Sequence, residues 1–96
     1  MPPLMSPDRA ETIALQALGW LVGDADLLPQ FLAATGASPD DLRARIGDPV
    51  FLAAVLSFVT SDDSTVRAFC DAAGLAYDQP LRARHALPGQ GEVHWT

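Results

Sequence analysis

Apolar positions in this chain fall into blocks with helical spacing, and each block is bracketed by residues that start or stop helices. Ser6-Pro7-Asp8 opens the first: serine caps, proline is tolerated at the first helical position, and aspartate faces the positive end of the helix dipole. Between Ile13 and Val22 only Gln16 is strongly polar, so this helix is expected to be buried on most sides. Gly23 ends it. Asp24 starts a second helix running to about Thr35, and Gly36 supplies its left-handed C-terminal cap. Ser38-Pro39-Asp40-Asp41 repeats the opening for a short helix through Ile46. Asp48-Pro49 opens a fourth, VFLAAVLSFV, apolar almost all round, and Ser61-Asp62-Asp63 starts a fifth that closes at Gly74. Asp78 to Ala86 forms a last short helix, stopped by Leu87-Pro88-Gly89. No segment combines period-two alternation with β-branched enrichment. The pattern therefore predicts an all-α fold, a compact bundle of five to six short helices. One helical domain is expected over residues 6–89, after a disordered N-terminus at 1–5 and before an extended tail at 90–96.

The blocks also repeat. Shifting the chain by 38 positions, which carries Phe31 onto Phe69, superposes its halves. Leu18 falls on Leu56, Trp20 on Phe58, Asp24 on Asp62, Gly36 on Gly74 and Asp40 on Asp78. One further residue of insertion aligns LRAR at 42–45 with LRAR at 81–84. Two related helical units are expected, with the first and fourth helices in equivalent central places and packed on each other.

Composition narrows the functional classes. A hydrophobic fraction of 49% over 96 residues fits one globular domain. The longest nearly apolar runs, Ile13–Val22 and Val50–Val59, span about ten residues, half of the roughly twenty a membrane helix needs. The opening MPPLMSPDRAE shows no basic segment followed by an apolar one, and a lone Cys70 fits a reducing compartment. A cytoplasmic location with no membrane association is expected. The net charge of −6 opposes non-specific nucleic-acid binding. Most of the acids nevertheless lie where helices start: Asp24, Asp26, Asp40, Asp41, Asp48, Asp62 and Asp63 are expected to act as caps.

Convergent chemistry is missing. LAATGASPDDLRARI has the outline of a helix-turn-helix, yet its second helix would offer Asp40 and Asp41 to the groove of DNA, where phosphate repels them. His85, His94 and Cys70 lack metal-ligand spacing, so no metal and no cofactor is expected. Ser57 interrupts an apolar helix, and its hydroxyl can satisfy itself on the carbonyl one turn back. Two features suit binding instead. The LRAR segments present Arg43 and Arg45, and Arg82 and Arg84, at matching points of the repeat, and Trp95 offers a large aromatic near the C-terminus.

The stretch DPVFLAAVLSFVTSDDSTVRAFCDAAGL, with GWLVGDADLLPQFLAATG before it and ALPG after it, resembles a family of small alphaproteobacterial proteins known as domain of unknown function number 3572. The resemblance covers roughly residues 10–89 and lies in Phe31, Gly36, Asp48-Pro49, the FLAAVL core and the Phe69-Cys70…Gly74 segment. It implies a helical domain and supplies no activity, cofactor or catalytic residue. The leading expectation is a non-catalytic protein–protein interaction or adaptor domain, with an unidentified protein partner or a homodimer. A nucleic-acid-binding helix-turn-helix-like regulator is the alternative, and a small-ligand or enzymatic role the second.

Overall fold

Side-chain oxygens of the N-cap residues mark four of the helix starts. Ser6 Oγ accepts from the Arg9 N–H at 3.1 Å, Asp48 Oδ1 from the Val50 N–H at 3.0 Å, and Asp62 Oδ2 from the Thr65 N–H at 3.1 Å. Ser38 and Asp41 bond each other's backbone N–H in a reciprocal capping box. The Ser38 N–H donated to Asp41 holds that carboxyl below the usual carboxylate range. Asp24 Oδ1 accepts from both Asp26 and Leu27, at 2.9 and 3.0 Å. Of the seven acids expected as caps, Asp24, Asp41, Asp48 and Asp62 accept backbone N–H bonds; Asp40 and Asp63 only sit in first turns, and Asp26 stands at a helix start without a side-chain cap bond.

In the computed structural model, which describes residues 5–87, these starts give α1 (Pro7–Val22), α2 (Leu27–Thr35), α3 (Pro39–Arg45), α4 (Pro49–Thr60), α5 (Asp63–Ala73) and α6 (Gln79–Ala86). α2 and α5 end on Gly36 and Gly74, at φ of 73° and 72°. Glycine occupies that left-handed region without the steric penalty of a Cβ. Leu87 turns extended after α6, the conformation that a following proline favours.

The order of packing explains the shape. α1 and α4 pack on each other, while α2, α5 and α6 each pack on both; α3 is held only lightly. The principal extents are 40 × 35 × 21 Å, and the shortest is about two helix diameters. The core joins Ile13, Ala17 and Leu21 of α1 to Leu52, Val55, Leu56 and Val59 of α4, closed by Phe31, Phe69, Cys70 and Ala83. Met5, expected in a disordered N-terminus, is half-buried against this core. The expectations for residues 1–4, for the 90–96 tail and for His94 and Trp95 fall outside the described residues.

The two halves are related in space as well as in sequence. Phe31 of α2 meets Phe58 of α4 edge-on at 5.4 Å between centroids. The shift of 38 carries that pair onto Phe69 of α5 and Trp20 of α1, which meet at 5.6 Å. The Leu28 N–H donates to the Asp24 carbonyl and its counterpart Val66 to that of Asp62, both at 3.1 Å.

Three expectations need correction. α1 is not buried on most sides: Leu15, Gly19 and Val22 are exposed, because α3 does not cover them, and Gln16 is exposed beside α5. Ser57 faces solvent, and it is the Thr60 hydroxyl that donates one turn back, to the Leu56 carbonyl at 2.7 Å. The LRAR segments are not equivalent, since Leu42 is 8% exposed and Leu81 46%. The uninterrupted shift of 38 pairs Leu42 with Pro80 instead, and both are buried.

Candidate docking groove

The repeat breaks at the third helix of each half, and the break leaves a surface open. In the second half, Arg84 Nη1 on α6 donates to Thr60 Oγ1 at the end of α4, at 3.1 Å, and Ala53 of α4 is buried. The corresponding residues of the first half are Ile46, Val22 and Leu15. A valine and an isoleucine cannot form the hydrogen bond, and a leucine in place of alanine keeps the third helix at a distance. α6 therefore packs against α4, whereas α3 stands off α1.

Between α1 and α3 lies a groove of about 520 Å³. Leu15, Leu18, Gly19 and Val22 line one wall; Pro39, Leu42, Arg43 and Ile46 line the other, with Leu28 of α2 beside them. Each wall has the spacing i, i+3, i+4, i+7, the single-face stripe of a helix. Leu15, Val22 and Ile46 remain 43%, 50% and 47% exposed. Gly19 lies within α1, where glycine destabilises a helix by roughly 0.5–1 kcal/mol relative to alanine. A Cβ there would meet no atom within 4 Å, so nothing inside the fold requires the glycine.

Of the residues singled out in the sequence that the structure describes, Arg43, Arg45, Arg82 and Arg84, Arg43 lines this groove. Among the described residues Arg43 makes no ion pair within 4.0 Å. Arg45 lies over the Phe51 ring, 5.9 Å from its centroid. Arg82 pairs with Asp78 at 3.6 Å and lines a second cavity, of about 680 Å³, between Met5-Pro7 and His85. Arg84 is structural, and Trp95 lies outside the described residues. Sequence reasoning passed over Leu15, Val22 and Ile46. The signal that could have found them was an apolar Val22/Ile46 pair standing where the other half has Thr60/Arg84.

Cys70 is fully buried, and its Sγ donates to the Ala76 carbonyl at 3.4 Å. Burial pushes the thiol up from its ordinary value, and the charges of Asp71 and Asp78 add to the effect. The folded protein is expected to react with an aromatic disulfide reagent at pH 8 far more slowly than the denatured chain. Equal rates would show that the α5–α6 junction opens freely. Among the described residues no group of three His, Cys, Asp or Glu could hold a metal, and no helix is long and apolar enough to cross a membrane.

A family model described as "Protein of unknown function (DUF3572)" matches residues 7–90. The chain belongs to the DUF3572 family. The matched span of this DUF3572 chain takes in all six helices and both walls of the groove. No curated protein and no solved structure matches it.

Proposed function

We propose that this DUF3572 domain is a non-catalytic protein–protein interaction module whose α1/α3 groove receives an amphipathic helix. The observation that carries the proposal is the contrast between the halves: Ala53 is buried and Thr60 is bonded to α6, while their counterparts on α1, Leu15 and Val22, are apolar and exposed. The fold itself thus supplies the precedent that a short helix packs at this place. A helix laid in a groove binds through anchors at i, i+3 or i+4, and i+7, the spacing both walls already have. Acids at the start of α3 and the engagement of Arg45 on Phe51 weigh against a nucleic-acid surface. The free Cys70 fits a reducing compartment, and we take the cytoplasm as the setting.

Selection of binders from a displayed library of amphipathic helical peptides tests the proposal. Binders should shift the methyl resonances of Leu15, Val22 and Ile46 and lose affinity for Val22→Glu. Binders that perturb other residues and keep their affinity for that variant would remove the groove from consideration.

A further inference from the structure

We infer that the groove is a self-recognition site, occupied by the α1/α3 face of a second copy of this chain. The inference rests on the groove being the docking surface. A second copy is the occupant because this face carries both parts of a complementary contact. Ile46 is a large apolar side chain, 47% exposed, on the α3 wall. Gly19 on the α1 wall is a notch flanked by Leu15 and Val22, with open space where a Cβ would be. A two-fold axis between copies would set Ile46 of each over Gly19 of the other. A single such surface then serves both partners, as an isologous interface requires. The notch also gives the mid-helix glycine a role that the isolated fold does not.

Charge agrees with shape. α3 carries exposed Asp40 in its first turn and exposed Arg43 one turn on. Antiparallel approach of two α3 helices sets Arg43 of each copy beside Asp40 of the other. The contact is thereby neutral, although the chain as a whole carries −6. Complementary charges of this kind fix register and suppress wrong partners.

Sedimentation of the full chain over a wide concentration range is the test. The wild type should pass from monomer to dimer as concentration rises. Gly19→Leu fills the notch and Ile46→Glu removes the knob, and each should raise the dimer dissociation constant about tenfold or more. Arg43→Glu should weaken the dimer, and adding Asp40→Arg should restore it, since the doubly reversed pair is again self-complementary. Circular dichroism reports whether each variant is folded; if Gly19→Leu is not, Ile46→Glu, at an exposed position, decides. A wild type that stays monomeric throughout, or folded variants that dimerise like the wild type, would overturn the inference. A monomer that still binds selected helical peptides at Val22 and Ile46 would leave the helix-docking proposal standing without it.

Discussion

Phe31→Ala is expected to destabilise the domain by about 3–5 kcal/mol, a large part of the roughly 5–15 kcal/mol that holds a domain folded. Phe31 is fully buried and belongs to α2, a helix of nine residues with no other buried side chain. It meets two rings of α4 edge-on, Phe51 at 5.9 Å and Phe58 at 5.4 Å. Truncation removes both aromatic contacts, each worth about 0.5–1.5 kcal/mol beyond burial, and leaves a cavity that two rigid helices cannot close. In a domain of this size the loss corresponds to a fall in Tm of at least about 12 °C. Phe31→Leu, which leaves a smaller void, should lose distinctly less. Denaturant titration checks both, and a loss below about 1 kcal/mol for the alanine would mean that α2 is not anchored through this ring.

Phe31 stood out in the sequence only as a repeat position, matched to Phe69, whereas the helix boundaries were legible from local chemistry. Capping depends on residues within three or four positions, so Ser6, Ser38, Asp48 and Asp62 announce their helices locally. The left-handed ends at Gly36 and Gly74 are equally local. The duplication was legible because paired positions keep their chemistry, down to the exchange of Phe31–Phe58 for Phe69–Trp20. The groove was not. Leu15 and Val22 read as apolar whether covered or open, and what decides is how closely the third helix approaches. That distance turns on Ala53 against Leu15 and on Thr60–Arg84 against Val22–Ile46, comparisons between residues far apart in the chain. The repeated LRAR pointed the other way. An identical tetrapeptide suggested equivalent surfaces, yet the buried pair Leu42 and Pro80 follows the uninterrupted shift, which sets an exposed Arg45 against a buried Ala83.

That last pairing gives the second large effect. Ala83 is fully buried on α6, which packs against both central helices, so Ala83→Leu forces extra methylenes between close-packed helices. The expected loss is about 1–3 kcal/mol. Arg45 occupies the corresponding place on α3 but is exposed, with its guanidinium over Phe51. Arg45→Leu gives up an exposed cation–π contact and should lose less than about 1 kcal/mol. The two substitutions compare a close-packed position on α6 with an open one on α3. A clear excess for Ala83→Leu is expected in paired denaturant titrations, and equal losses would show that α6 has room for the added methylenes.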